Sequence, residues 1–334
     1  MRPNTTVVAN GVVSLMSNRR SLEASRVVRS FIHDGGMLFM FTSSLRLMIS
    51  ITKQQITDKF DKLTRGVSQI HKMTAISPTI LALDFDGVIC NGLIEYFQVA
   101  WRTYCKVWSC SGQTQTEDLA NKFYHLRPVI ETGWEMPVLI KALLEGFTEE
   151  QILQDWSDIS HKILRQDDFA ALEIASMLDK QRDEWIASDL DGWLSMHKFY
   201  PGVVEKIQSI YNTKIALYIV TTKEGRFVKE LLYKAGFDLP REAIFGKEEK
   251  RPKYEILREL KQESNSPAVS LWFIEDRIKT LQKIKEQLDL EDVELFLANW
   301  GYNTPTDREA AQKDMRIQLI SLSQFVQNFD KWQS

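Results

Sequence analysis

Two aspartates at the end of a hydrophobic run are the residues of this chain best suited to chemistry. The run Ile80–Leu83 leads into Asp84 and Asp86, and Gly87 follows. Residues i and i+2 of a strand point to the same face, so the two carboxylates are expected to face one point. Like charges that close repel unless a cation lies between them or one carries a proton. The pattern predicts phosphoryl chemistry with Asp84 as nucleophile and Mg²⁺ beside it, although Asp-x-Asp-Gly is also a common surface turn.

Polar residues also follow two later apolar runs. Thr221 and Thr222 come after Ile215–Val220, and Glu275 and Asp276 come after Leu271–Ile274. Parallel sheets bind ligands at the carboxyl ends of their strands, so these side chains are expected near the two aspartates. The threonines could bind phosphate or cap a helix. The two acids could supply further carboxylate ligands for a metal ion or cap the helix that follows.

Phosphoryl chemistry also needs a fixed cation near the nucleophile. Lys253 is the best-placed candidate because it follows Pro252 at the start of a predicted helix, and Lys250 remains an alternative. Arg127 lies in a stretch broken by Pro and Gly. It could hold a substrate carboxylate or phosphate with two hydrogen bonds, or it could be an ordinary exposed or salt-bridged arginine.

Apolar runs and helical periodicities alternate after residue 73, which predicts an α/β fold with a doubly wound parallel sheet. The predicted strands are Thr79–Asp84, Lys214–Val220, Ser270–Ile274, Val293–Ala298 and Ile317–Ile320. The predicted helices between and after them include Glu149–Leu164, Asp168 to about Met196, Arg226–Ala235, Tyr254–Lys261 and Ile278–Gln287. Residues 91–200 lack a convincing strand, so they are predicted to form a helical cap inserted into a core made of residues 73–90 and 201–334.

The charge of the chain is unevenly distributed. Residues 1–72 hold 11 basic and 4 acidic side chains, whereas the remainder holds 31 and 41. The acidic body disfavours nucleic acid as a partner. The first 72 residues are predicted to be a poorly structured extension, either a transit peptide or sequence upstream of a start at Met73. The apolar run Met37–Ile51 is too short and polar to predict stable membrane insertion.

Three cysteines, Cys90, Cys105 and Cys110, make an odd and sparse set. They do not suggest a disulfide framework, and each is expected to be a small buried thiol. A reducing compartment, and hence the cytoplasm, is the predicted location. Import into an organelle is the alternative if residues 1–72 are a transit peptide.

Taken together, the four motifs resemble those of the haloacid dehalogenase superfamily of phosphohydrolases. The matching segments are Asp84-Phe85-Asp86-Gly87-Val88, Val220-Thr221-Thr222-Lys223, Pro252-Lys253 and Phe273-Ile274-Glu275-Asp276. The resemblance runs from Thr79 to Ile320 and is closest to the phosphoglycolate phosphatase-like branch, which has a Rossmann-like core and a helical cap. Arg127–Glu135 and Thr222–Phe227 also look like segments of cyanobacterial members.

The resemblance implies a role for each matched residue. Asp84 would attack phosphorus, Asp86 would act as general acid and base, Thr221 would bind the phosphoryl oxygens and Lys253 would stabilise the developing charge. Mg²⁺ would be held by Asp84, the backbone carbonyl of Asp86 and Asp276, with Glu275 bound directly or through water. The chain departs from the family at Asn91, where an acid is common, at Arg277, where a small residue is common, and in the order of Pro252 and Lys253.

The function expected from these features is Mg²⁺-dependent hydrolysis of a small phosphorylated metabolite, with phosphoglycolate as the default substrate. Thr222 and Arg127 are the expected substrate-binding residues. Asp86 favours this class over dehalogenases, which have no leaving oxygen to protonate. A phosphomutase on the same scaffold and a binding protein without catalytic activity are the alternatives.

Overall fold

The computed structural model describes residues 77–264 and 269–332. Its centre is a sheet of six parallel strands, β1 (Ile80–Leu83), β4 (Ala216–Val220), β5 (Ile244–Phe245), β6 (Leu271–Glu275), β7 (Glu294–Ala298) and β8 (Ile317–Ile320). Their order in the sheet is β5-β4-β1-β6-β7-β8. The predicted parallel α/β fold is confirmed. The predictions for residues 1–72 lie outside the described residues.

Alternate residues of β1 pack into two different hydrophobic clusters. Leu81 and Leu83 belong to one cluster, whereas Ile80 and Ala82 belong to another. Successive side chains of a strand point to opposite faces, so the two clusters cover the two faces of the sheet. This is why β1 and β6 are buried along their whole length and read as continuous apolar runs.

The helices follow the alternation that the sequence predicts. In chain order they are α1 (Leu93–Trp108), α2 (Glu117–Leu126), α3 (Glu135–Leu144), α4 (Glu149–Gln166), α5 (Ala171–Ser188), α6 (Leu190–Ser195), α7 (Val203–Tyr211), α8 (Gly225–Lys234), α9 (Lys253–Glu263), α10 (Ile278–Lys285), α11 (Pro305–Lys313) and α12 (Leu322–Phe325). Short 3₁₀ helices lie at Arg127–Val129, Arg241–Ala243, Lys247–Glu249, Leu288–Leu290 and Phe329–Lys331. No helix among the described residues is long and apolar enough to cross a membrane.

Helices α1 to α6 lie between two short antiparallel strands, β2 (Cys90–Asn91) and β3 (Lys198–Phe199). Helices α1 to α5 contribute to a third hydrophobic cluster, which includes Phe97, Phe123 and Leu139, whereas Trp193 and Leu194 of α6 belong to the cluster of Leu81 and Leu83. The chain therefore leaves the core and returns to it along one two-stranded ribbon. We refer to these six helices as the helical insertion.

Two local features lie at the ends of insertion helices. Thr148 and Gln151 form a reciprocal capping box at the start of α4. The expectation of three buried thiols is wrong for Cys105 and Cys110, which are partly exposed and form a disulfide, whereas Cys90 is free and buried. A turn after α1 brings these two cysteines together, and sparse cysteine spacing carries no signal of that turn. Cysteine usage therefore no longer argues for a reducing compartment.

Candidate active site

The order of strands in the sheet brings together the carboxyl ends of β1, β4 and β6, each of which is followed by acidic or hydroxyl side chains. Strand β1 lies between β4 and β6, and Leu83 is in register with both Ile219 and Ile274. The residues that follow these strands consequently meet at one edge of the sheet. The chain passes from β1 to β4 and β5 on one side of it and then crosses to β6, β7 and β8 on the other side. Open α/β sheets bind ligands where the strand order reverses in this way.

Asp84 lies at the centre of this edge and is buried. Its Oδ1 accepts a hydrogen bond of 2.7 Å from the backbone N–H of Phe85, and its Oδ2 lies 2.9 Å from Nζ of Lys253. Burial, followed by the negative charge of Glu275, raises the pKa of Asp84 to about 7. Asp84 is therefore a carboxylate whose ionised form depends on nearby positive charge.

Lys253, the first residue of α9, provides part of that positive charge. Its Nζ lies 2.7 Å from Oε2 of Glu275 as well as 2.9 Å from Asp84. Burial would lower the pKa of Lys253, but the charges of Asp84 and Glu275 outweigh burial and raise it. Lys250 is exposed and has a left-handed backbone with φ of 53°. Of the two candidate lysines, the structure places Lys253 against the aspartate.

Asp84, Glu275 and Asp276 form a buried carboxylate cluster whose oxygen atoms lie within 4.8 Å of one another. The pKa values of Glu275 and Asp276 are both raised, in each case chiefly by burial. Lys253 offsets only part of this negative charge, and an all-oxygen donor set suits a hard divalent cation. The cluster can therefore hold such an ion.

The members of the cluster are not equally free to bind a metal. Both oxygens of Glu275 already accept hydrogen bonds, Oε2 from Lys253 and Oε1 from the backbone N–H groups of Asp276 and Arg277. Oδ2 of Asp276 accepts a 2.7 Å bond from the backbone N–H of Tyr302. Glu275 thus accepts three hydrogen bonds and anchors Lys253, whereas Asp84 has one donor at each oxygen, the N–H of Phe85 and Nζ of Lys253.

Gly87 allows the chain to turn beside this cluster. Its φ is +82°, and a Cβ atom at this position would lie 2.1 Å from Oδ2 of Asp276. A left-handed backbone and the close approach of a carboxylate both require glycine here.

Asp86 lines the same cavity as Asp84 but has a different partner. Its carboxylate lies 3.2 and 3.4 Å from Nζ of Lys223, through Oδ1 and Oδ2 respectively. The two aspartates therefore share one cavity, as their i, i+2 spacing predicts, with a separate lysine for each.

The two threonines differ in exposure. Thr221 is buried and its hydroxyl accepts a 3.2 Å bond from the backbone N–H of Lys223, whereas Thr222 is exposed and lines the cavity. The alternative interpretation as a helix cap is wrong, because Glu224 occupies the N-cap position of α8. Thr222 is therefore the threonine that a ligand in the cavity would meet directly.

Arg127 approaches the cavity from the helical insertion. Its guanidinium lies 5.1 Å from the ring centre of Tyr96 and 4.8 Å from that of Tyr302. Nη1 donates to the carbonyl of Ile130, whereas the buried Nε has no hydrogen-bond partner in the described part of the chain. The guanidinium of Arg127 thus lies against two aromatic rings, and its Nε–H is a hydrogen-bond donor without a partner in the described part of the chain.

The cavity between the strand ends and the helical insertion has a volume of about 250 Å³. Its lining residues are Asp84, Asp86, Tyr96, Arg127, Ile130, Glu131, Thr222, Lys253, Glu275, Asp276, Arg277, Lys279, Thr280, Lys283 and Tyr302. Predicted site residues therefore come together from both the core and the insertion. Thr221 lies outside this lining.

Sequence reasoning missed three contributors to the site. Lys223 pairs with Asp86, Tyr302 lines the cavity, and Arg277 donates from Nη1 to the carbonyls of Pro128 and Tyr302. Tyr302 follows β7, so the rule that ligands lie at strand ends could have indicated it. Local sequence carries no signal of the other two contacts.

Residues 138–286 match the family model of haloacid dehalogenase-like hydrolases. This stretch includes Thr221, Lys253, Glu275 and Asp276, whereas Asp84 and Asp86 precede it. A search of curated proteins finds no match.

Several solved structures are similar to this chain. A haloacid dehalogenase-like family hydrolase from Streptococcus pneumoniae is 15% identical, with 73% of this chain and 94% of that chain covered and a TM-score of 0.43. A predicted phosphatase from Clostridium acetobutylicum is 15% identical, with 75% and 96% covered and a TM-score of 0.47. A predicted phosphoglycolate phosphatase from Haemophilus somnus is 15% identical, with 75% and 95% covered and a TM-score of 0.45. The resemblance to cyanobacterial members stays a prediction.

Proposed function

We propose that this chain, in which residues 138–286 match the family model of haloacid dehalogenase-like hydrolases, hydrolyses small phosphomonoesters through an aspartyl-phosphate on Asp84. The observation that carries the proposal is the buried Asp84 carboxylate, which lies 2.9 Å from Lys253 and shares a cavity with Asp86 and Asp276. Phosphoryl transfer requires a nucleophile, a fixed cation and a second acid. Asp84, Lys253 and Asp86 place all three at one edge of the sheet.

Asp84 attacks phosphorus, and the bond from phosphorus to the leaving oxygen breaks as the bond to the carboxylate forms. Asp86 gives its proton to that oxygen and then takes a proton from the water that hydrolyses the aspartyl-phosphate. Such acid–base catalysis contributes roughly 10²- to 10⁴-fold. Lys253 stabilises the charge that develops next to Asp84, and Glu275 holds Lys253 in place.

Mg²⁺ is the proposed cofactor because carboxylate oxygens make up the buried cluster. Asp84, Asp276 and the backbone carbonyl of Asp86 would hold it, with Glu275 in support. When bound, it would neutralise the cluster and the phosphoryl oxygens.

The substrate is proposed to be a small phosphorylated metabolite. Thr221 and Thr222 are assigned to the phosphoryl oxygens, and Arg127 to an anionic group on the leaving portion. A cavity of about 250 Å³ favours a compact molecule, and phosphoglycolate is the default candidate. Arg127 and Thr222 both line this cavity, so one molecule could contact both.

The test is phosphate release by the full chain from a panel of phosphorylated metabolites, with and without Mg²⁺. Asp84→Asn removes the nucleophile, and Asp292→Asn is the matched control because Asp292 is an exposed partner of Lys261. Release that requires Mg²⁺ and Asp84 but not Asp292 supports the proposal. An isomerised product without phosphate release indicates a mutase, and no turnover from folded protein indicates a binding role; either result contradicts the proposal.

A further inference from the structure

Lys223 contacts the carboxylate of Asp86 although 137 positions separate them in the sequence. Its Nζ lies 3.2 Å from Oδ1 and 3.4 Å from Oδ2, so one ammonium group spans both oxygens. Within residues 77–264 and 269–332, Lys223 is the only cation paired with Asp86. Lys223 is therefore the charged side chain that faces this carboxylate.

Lys223 is placed to act on Asp86 rather than on a ligand. Its side chain is only 9% exposed, and it is not among the residues that line the cavity, whereas Asp86 is. The ammonium lies 5.8 Å from the ring centre of Tyr96 and 5.7 Å from that of Trp193, both in the helical insertion. These rings restrict where the ammonium can go.

A second carboxylate balances the charge of Lys223. Glu95 of α1 is completely buried, and its Oε1 accepts bonds from Nε of Arg182 at 2.8 Å and from the indole N–H of Trp193 at 3.0 Å. Burial alone would raise the pKa of Glu95, but the charges of Arg182 and Lys223 outweigh it and lower the pKa. Trp193 thus contacts both groups: its indole N–H binds Glu95, and its ring lies near the ammonium of Lys223.

We propose that Lys223 is a positioning residue that fixes the Asp86 carboxyl group for proton transfer to and from the reacting oxygens, while the rings of Tyr96 and Trp193 confine its ammonium group. The inference rests on the proposed function, because it assigns a helper to that general acid and base. The proton still moves from Asp86 to the leaving oxygen as the bond from phosphorus to that oxygen breaks. Lys223 itself neither gains nor loses a proton.

The first experiment compares two substrates in Lys223→Met. An aryl ester, p-nitrophenyl phosphate, has a leaving group that needs little protonation, whereas an alkyl phosphomonoester from the metabolite panel needs it. We expect kcat/KM to fall by on the order of 10- to 100-fold for the alkyl ester and by less than about 3-fold for the aryl ester. Equal losses for both esters would overturn the proposal, because they would indicate a role in phosphate binding or in folding.

The second experiment is a double-mutant cycle with Asp86→Asn on the alkyl ester. If Lys223 acts through Asp86, Lys223→Met causes less than about a 2-fold further loss when Asp86→Asn is already present. A further loss as large as that in the wild-type background shows an independent role and contradicts the proposal. If Lys223→Met does not fold, as judged by circular dichroism, Lys223→Gln is used in the same cycle.

Lys229→Met is the matched control. Lys229 lies in α8 and pairs with Asp238 and the carbonyl of Leu239, so its loss should change the ratio of the two kcat/KM values by less than about 2-fold. Wild-type turnover that requires Mg²⁺ and Asp84 tests the proposed function by itself. Failure of the Lys223 cycle therefore leaves that result intact.

Discussion

Lys253 is the residue whose chemistry depends most directly on its neighbours. Its side chain, which is only 10% exposed, lies between Asp84 and Glu275, and its charge offsets two carboxylates at once. Loss of one partner from such a buried group leaves uncompensated charge, which costs about 3–5 kcal/mol.

We expect Lys253→Met to lower kcat by at least about 100-fold, since an electrostatic contact to the reacting group of this kind contributes about 3 kcal/mol. Lys250→Met is the matched variant, because Lys250 is exposed three residues earlier. Its kcat should stay within about 2-fold of wild type, as expected of a surface lysine. Steady-state kinetics with the best substrate of the panel checks both values. A larger loss in Lys250→Met would reassign the lysine.

Alanine substitutions at Gly87 and Gly236 distinguish the cost of backbone strain from the cost of a steric clash. Both have positive φ, +82° and +79°, but a Cβ atom on Gly87 would lie 2.1 Å from Asp276 while one on Gly236 would meet nothing within 4 Å. Gly236→Ala should therefore cost only about 1–2 kcal/mol of unfolding free energy and leave activity unchanged. Gly87→Ala should cost more than that and also abolish Mg²⁺-dependent turnover. Denaturant unfolding and phosphate release measure the two effects, and equal behaviour of the two variants would refute the steric argument.

At the scale of residues, the sequence predicted which side chains would lie near one another, but it did not predict which of them would form ion pairs. Asp84, Thr221, Lys253 and Asp276 follow or precede elements whose ends must meet in a parallel sheet, so their proximity follows from topology. The contact between Lys223 and Asp86 depends on side-chain direction across two loops, which no local pattern encodes. Roles assigned by resemblance, such as phosphate binding by Thr221, stay predictions.

At the scale of elements, long strands were predictable and two-residue strands were not. The prediction for Ile317–Ile320 agrees at both ends, and Lys214–Val220 is two residues too long at its start. Strand β5 and the ribbon β2–β3 were missed because two residues cannot show alternation. Predicted helix Asp168–Met196 is divided at Asp189, whose side chain caps α6. Such an internal cap competes with the apolar periodicity on which the prediction relied.

His197 lies where the chain returns from α6 to the core, and it makes this junction sensitive to pH. Burial, then the positive charge of Lys223, lowers the pKa of His197 to about 4, while Glu95 and Asp86 oppose that shift. The unfolded chain therefore binds more protons than the folded one between pH 4 and 6.5. The stabilising contribution is fully present above pH 6.5 and is lost as the pH falls to about 4, on the order of 3 kcal/mol.

Thermal unfolding from pH 4 to 7 tests this behaviour. His197→Phe removes the titrating group but keeps a ring against Trp193, so the unfolding free energy should depend less on pH between 4 and 6.5 than in wild type. His161→Phe is the control because His161 is exposed, and it should keep the wild-type profile. An unchanged slope in His197→Phe would show that another group dominates.

At the scale of the whole molecule, the buried carboxylate cluster connects metal binding to stability. Asp84, Glu275 and Asp276 are held close together by the fold, so the unfolded chain does not present them as one site. An ion that binds only the folded state stabilises it by about 2.7 kcal/mol at a concentration 100 times its Kd. Mg²⁺ should therefore raise the Tm of the full chain in a concentration-dependent manner.

Asp276→Asn distinguishes this site from general ionic effects. It retains an oxygen toward the backbone N–H of Tyr302 but removes a negative charge from the cluster, so the rise in Tm with Mg²⁺ should shrink by more than half. Asp292→Asn removes an exposed charge and should leave the rise unchanged. Differential scanning fluorimetry across a Mg²⁺ titration gives both values without any substrate. If the rise in Tm is equal in all three proteins, Mg²⁺ acts elsewhere and the assignment of the cluster as the metal site is wrong.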